Sequence, residues 1–209
     1  DDSRYPTLQA NDGARHVRDG RTFLGLWVDA ETDGQPAEAA SGDDLAGGNG
    51  VDDEDGVQFA TPLLLGRDAG LSIRASVDGY LNAWIDFNDD GDWVDAGERI
   101  FTSQALVTGV NHLSFTAPAA LGYGDFTYAR FRYSNHVGEL GPAGLANGGE
   151  VEDYRISEPV QLSLELSTGW NMISIPLSLL PEDDTFEEVF GDDIEAVYTW
   201  DPVSKSYAS

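Results

Sequence analysis

The sequence predicts an all-β protein built as an antiparallel β-sandwich, Ig-like or jelly-roll-like, with long acidic loops. Three observations carry that reading. Short segments of period-2 alternation recur along residues 1–157, clearest where Leu71, Ile73, Ala75 and Val77 alternate with Ser72, Arg74 and Ser76. Turn chemistry separates them, with six Asp-Gly dipeptides at 12, 19, 33, 55, 78 and 90. No long stretch shows the period of a packed helix, and strands at this spacing argue for a sandwich.

Residues 1–20 are polar and turn-rich and read as an extended arm or irregular lead-in. Residues 22–28, TFLGLWV, form the first expected strand. Residues 29–56 then carry ten acidic side chains and no basic one, which makes a long loop of the kind a bound ion can order. A short strand is expected at 57–59 and a longer one at 71–77. Asp78-Gly79 turns the chain into residues 80–87, where Leu81, Ala83, Ile85 and Phe87 alternate with Asn82 and Asp86. Further strands are expected at 99–101, 112–116, 125–133 and 151–157, completing a first domain over residues 1–157.

Glu158-Pro159 marks a junction. Beyond it, residues 158–209 show strand patterns at 161–166 and 170–176, then a capping-box signature from Thr185 to Glu188 for one short helix. A strand at 196–200, a turn at Asp201-Pro202 and the start of another element at 205–208 follow. About 50 residues is near the lower limit for an independent core. The tail therefore reads as a partial β module or assembly element, and the chain as a piece of something longer.

The formal charge is −27, with a pI near 4.1. Such a surface repels phosphate backbones and anionic membranes, so neither nucleic acid nor membrane insertion is expected. Bound divalent cations would relieve the self-repulsion; adaptation to high salt is a second cause, since Lys205 is the only lysine. Cysteine is absent, which removes disulfides, thiolate metal sites and thiol catalysis.

The sharpest candidate site is residues 86–98, DFNDDGDWVDAGE. Asp86, Asn88, Asp90 and Asp92 stand at alternate positions around Gly91, with Asp95 and Glu98 following. Oxygen ligands spaced this way on a sharp bend suit a hard cation such as Ca2+. The DxNxDG opening matches an EF-hand loop, but Gly97 occupies the closing position and the glutamate comes one residue later. The entering segment has strand alternation, so this is a calcium loop on a β scaffold; the bland reading is a hydrated acidic hairpin.

A second ion is expected at Asp29, Glu31 and Asp33, with the 52–55 run, including Asp53 and Asp55, closing it from the far end of the long loop. Glu150 and Asp153 are expected to reach a cation or an arginine. On a strand, Glu150 and Glu152 share one face and Asp153 takes the other. Trp84 and Trp93 are the candidates for a sugar-stacking platform, Trp84 because Asn82 and Asp86 share its outward face; core packing is the competing role. His16, His112 and His136 have no metal-binding spacing, and no nucleophile–base arrangement or phosphate loop occurs, so no enzymatic activity is expected.

Several motifs together resemble the GEVED domain family of bacterial and archaeal secreted and surface proteins. The name motif stands as Gly149-Glu150-Val151-Glu152-Asp153, followed by Tyr154. The resemblance also covers Asn11-Asp12-Gly13-Ala14-Arg15-His16, Val28-Asp29-Ala30-Glu31 with Asp33-Gly34-Gln35-Pro36, and Asp52-Asp53-Glu54-Asp55-Gly56-Val57. Ala83-Trp84-Ile85-Asp86-Phe87-Asn88 and Tyr128-Ala129-Arg130-Phe131-Arg132 complete it. It implies an extracellular or cell-surface, calcium-stabilised β-sandwich used as a structural or adhesive block. The expected partners are neighbouring domains or identical subunits, in one version a filament joined by strand addition. The alternative is a glycan-binding accessory module of a secreted multidomain enzyme.

Overall fold

A computed structural model describes residues 4–28, 33, 36–37, 40, 54–64, 66–119 and 126–157, together with the backbone of 199–201 and 206–208. The chain divides into two compact units, Asp1–Gln161 and Leu162–Ser209.

The first unit is a β-sandwich. Its strands are β1 (Arg15–Val17), β2 (Val57–Phe59), β3 (Asp68–Ala75), β4 (Gly79–Ile85), β5 (Arg99–Leu106), β6 (Gly109–Thr116), β7 (Phe126–Ser134), β8 (Leu145–Asn147) and β9 (Gly149–Ser157). A three-stranded antiparallel sheet runs in the order β2-β3-β6 and a four-stranded one in the order β5-β4-β7-β9. The long ladders keep one register from end to end, Asp68↔Thr116 to Ala75↔Gly109 between β3 and β6 and Phe126↔Ser157 to Ser134↔Gly149 between β7 and β9. Between β4 and β5 the register shifts around Asn82, whose side-chain oxygen accepts the Ser103 amide at 3.0 Å while Ser103 takes a φ of 48°.

The core lies between the sheets. Leu71 and Ile73 of β3 meet Leu81, Ala83 and Ile85 of β4 and Phe131 and Tyr133 of β7, with Phe101 and Phe115 crossing edge to face at 6.2 Å. These are the residues that period-2 alternation assigns to one face.

The outer face of the four-stranded sheet is covered as well, which is the packing role weighed for Trp84 against sugar stacking. Tyr5, Ala40, Trp84, Trp93 and Tyr128 form a second apolar cluster there, with Phe126 and Leu140 packed against it. The N-terminal arm and the acidic loop supply the cover.

The structure corrects the reading of residues 22–28. Only Leu24 bridges to Ala75, because Gly25 turns at a φ of 70° and the Leu26 amide is taken by the Asp55 carboxylate at 2.9 Å. The N-terminal arm is also more ordered than its composition suggests, since β1 pairs in parallel with β8. In the second unit an antiparallel hairpin, β10 (Thr199–Asp201) with β11 (Ser206–Ala208), is described. The strands expected at 161–166 and 170–176 and the helix near 185–188 lie outside the described residues. Among the described residues no helix is long and apolar enough to cross a membrane.

Candidate metal centre

Strand β4 delivers Asp86 to the mouth of the acidic loop, and the Glu98 carbonyl accepts the Ile85 amide at 2.9 Å where the loop returns. Asp86 is fully buried and organises the turn. Its Oδ1 accepts the amides of Asn88 and Asp89 at 3.2 and 2.6 Å, and its Oδ2 accepts the Gly91 amide at 3.0 Å and the Tyr5 hydroxyl at 2.6 Å. Gly91, at a φ of 93°, makes the bend that the sequence requires of it.

The alternate positions then repeat one device. Asn88, Asp90 and Asp92 each accept the amide two residues on, from Asp90, Asp92 and Val94 at 3.3, 3.2 and 2.9 Å. One oxygen of each side chain fixes the backbone.

Asp86, Asp90 and Glu98 come together, one carboxylate oxygen from each lying within 4.8 Å of the others. Asn88 joins their rim by donating to Asp90 Oδ2 at 3.1 Å and Asp95 Oδ2 at 2.8 Å. Asp92 stands outside the cluster, exposed. Glu98 is 2% exposed; its Oε2 accepts the Asp95 amide at 3.1 Å, while its buried Oε1 has no hydrogen-bond partner. Burial, with the charges of Asp86, Asp90 and Asp95 added against the pull of the Asp95 amide, pushes its carboxyl up to about 7. An orphaned buried carboxylate oxygen among hard oxygen donors fits Ca2+.

The GEVED segment does different work. Glu150 and Glu152 point inward together, as alternation requires, and pin the two ends of the long acidic loop. Glu150 accepts the Leu24 amide; Glu152 accepts the Gly56 amide and the Tyr154 hydroxyl, both at 3.1 Å. Burial, then the neighbouring Glu150 charge, pushes the Glu152 carboxyl well above its usual value.

On the other face, Asp153 meets an arginine. Its two oxygens accept Arg130 Nε and Nη2 at 2.7 and 2.6 Å. Burial raises the Asp153 carboxyl, but the Arg130 charge and hydrogen bonds outweigh it and leave it below the usual range. Arg130 and Arg132, each 1% exposed, hold loops by their carbonyls: Pro6 and Pro142 for the first, Gly141, Ala143, Gly144 and Arg15 for the second.

The other candidates of the proposed second ion site are spread among different partners. Asp33 accepts the Gln9 amide at 2.6 Å and Asp55 the Leu26 amide at 2.9 Å. Asp29, Glu31 and Asp53 lie outside the described residues.

Trp84 and Trp93 do not form a stacking platform. Alternation places Trp84 on the outer face correctly, but that face is covered, leaving Trp84 1% and Trp93 2% exposed. The Arg99 guanidinium lies over the Trp84 ring at 5.1 Å. Trp93 stacks with Tyr5 at 4.3 Å and with the Arg130 guanidinium at 4.4 Å, and donates from its indole nitrogen to the Tyr128 carbonyl at 3.3 Å.

Sequence reasoning missed Tyr5, Glu152, Arg130 and Arg132 as parts of this region. A signal existed for the arginines: on alternate positions of a central strand they need a carboxylate on the neighbouring one, and Asp153 stands directly across from Arg130.

No curated protein and no solved structure matches the chain. The family model of the GEVED domain matches residues 80–157, from the second residue of β4 through the acidic loop to the end of β9. The name motif, the acidic loop and the arginine pair all fall inside that match, and the chain therefore carries a GEVED domain.

Proposed function

We propose that the chain is a non-catalytic, calcium-binding structural or adhesive module of an extracellular or cell-surface assembly. The observation that carries this reading is the buried, unpartnered Glu98 oxygen beside Asp86 and Asp90. Asp86, Asp90 and Glu98 would hold the ion, with Asn88 at the rim. The ion would supply positive charge that these carboxylates otherwise lack. Because the ligands converge only in the folded chain, binding becomes folding free energy.

Thermal unfolding at fixed high ionic strength, with chelator and then with calcium restored, tests the reading. At calcium about 100-fold above Kd the gain is about 2.7 kcal/mol, a shift on the order of 5–10 °C, which magnesium should not reproduce. An unchanged melting temperature in protein shown to be metal-free would remove the calcium role. In the filament form of the reading, residues beyond Ser157 add a strand to a neighbouring subunit, so a chain ending at Ser157 should lose assembly. The glycan alternative loses its two named stacking residues, since Trp84 and Trp93 are buried.

A further inference from the structure

We propose that β6 is an edge through which two copies of this chain pair, antiparallel about a two-fold axis, joining their three-stranded sheets into one.

The other margins of the sandwich are each occupied in part. At β2, the Gly56 and Val57 amides are taken by Glu152 and Tyr154. Along β5 the ladder is broken at Asn82, the Gly138 amide bonds the Ser103 hydroxyl at 3.0 Å, and the Arg99 side chain holds the Leu140 carbonyl. At the start of β9, the His16 ring of β1 lies beside Gly149, where a side chain would meet it.

Strand β6 carries none of these devices. The Ala117 amide bonds the Arg67 carbonyl at 2.9 Å, in register with the β3–β6 ladder. Antiparallel pairing alternates, so Leu113 and Phe115 also bond toward β3. Val110, His112, Ser114 and Thr116 therefore aim their amides and carbonyls away from the sheet, and among the described residues none of these groups has a partner. A regular edge of this kind is a template for another strand.

Charge selects the occupant. Residues 100–124 contain no Asp, Glu, Lys or Arg, the longest such run in a chain of net charge −27. Most of the acidic surface repels a second copy, whereas here neither copy brings charge to the contact. A cationic partner would prefer the acidic surface to this neutral edge. Val107 and Val110, 62% and 52% exposed, lie at one end of the edge and would be partly covered.

The flanking strand sets the orientation. Arg74 lies beside Val110 and Asp68 beside Thr116, all with exposed side chains. Antiparallel pairing that sets Val110 against Thr116 of the partner subunit aligns Arg74 with Asp68 of the partner subunit, about 14 Å apart at the backbone and closer at the side-chain tips. Parallel pairing would set arginine across from arginine.

Sedimentation velocity of the 209-residue chain over a concentration series, at high ionic strength with calcium, tests the pairing. A reversible dimer is expected, and hydrogen exchange at Val110, His112, Ser114 and Thr116 should slow as concentration rises while Leu113 stays unchanged. His112→Pro removes an amide that points away from β3, so the ladder survives while the dimer Kd rises about 30-fold or more. Ser114→Lys places a charge on the edge and should act likewise without proline's backbone constraint. A wild-type chain that stays monomeric at every concentration overturns the proposal, as does a dimer whose Kd both variants leave unchanged.

Discussion

The Tyr5 hydroxyl donates a 2.6 Å hydrogen bond to Asp86 Oδ2, joining the N-terminal arm to the residue that shapes the acidic loop. Arg4 adds an ion pair to Asp89 at 2.8 Å, and Trp93 from the loop stacks on the Tyr5 ring. Loop and arm are thus one packed unit, although four strands, β1 to β4, lie between them in sequence.

Removing the hydroxyl alone should loosen that unit. Tyr5→Phe keeps the stack on Trp93 and loses one hydrogen bond to a carboxylate, a cost of about 1.5–3 kcal/mol. Urea unfolding monitored by tryptophan fluorescence measures it. Equal stability of variant and wild type would mean that the arm contributes through its ring only.

Glu98→Gln separates the ion from the fold. In chelator at pH 8 the variant should be more stable than wild type, by on the order of 1 kcal/mol, because a charge leaves a buried position beside Asp86, Asp90 and Asp95. In calcium the order should reverse. Melting curves of both proteins under both conditions decide this, and an identical calcium shift in the two would place the ion elsewhere.

Asp153→Asn leaves the Arg130 guanidinium buried without its counter-charge, and a loss of about 3–5 kcal/mol is expected. Exchanging both residues for apolar ones of similar size removes the stranded charge but leaves the Pro6 and Pro142 carbonyls without their donor, at about 1–3 kcal/mol for each that stays buried. Equilibrium denaturation of the single and double variants forms the comparison. A single variant within 1 kcal/mol of wild type, on the usual scale of surface changes, would contradict the role given to the pair.

His16 gives a pH dependence of definite sign. Its Nε2 accepts from Arg132 Nε at 3.2 Å, and burial first, then the Arg132 charge, takes the imidazole from 6.5 down to about 3. The fold thus holds the neutral ring, so its contribution is whole above pH 6.5 and is lost as pH falls from there toward 3. His16→Gln keeps an acceptor without a titrating ring. The wild-type advantage over it should shrink below pH 6.5 with a limiting slope of about 1.4 kcal/mol per pH unit. A gap that stays constant with pH would show that His16 is not held neutral.

Most of the sandwich could be read from alternation, because side chains on a strand change face at every residue and a buried face must be apolar. The same rule put Trp84 on the outer face and Glu150 with Glu152 on one shared face, which the structure turns inward. It could not say that an arm and a loop would cover Trp84, since cover is a matter of long-range packing. Arg130 and Arg132 were hidden for a related reason: a guanidinium on a strand looks solvent-facing unless the carbonyls that satisfy it are known. Residues 22–28 misled because their apolar content resembles a strand, whereas Gly25 bends the chain after a single bridge. The acidic loop was legible because its alternate oxygens and its glycine act over a few residues.

The two ends of the long acidic segment meet, Leu26 bonded to Asp55, with Glu150 and Glu152 holding Leu24 and Gly56 on either side. The neck thus closes the segment, and among its described residues Asp33 and Ala40 tie it further, to the Gln9 amide and to the outer apolar cluster. Lengthening such a loop costs little, about 0.6 kcal/mol for each doubling. Foreign peptides inserted between Ala40 and Asp55 should leave those ties and the sheets intact, so the fold can serve as a display frame whose cargo changes without redesign of its core.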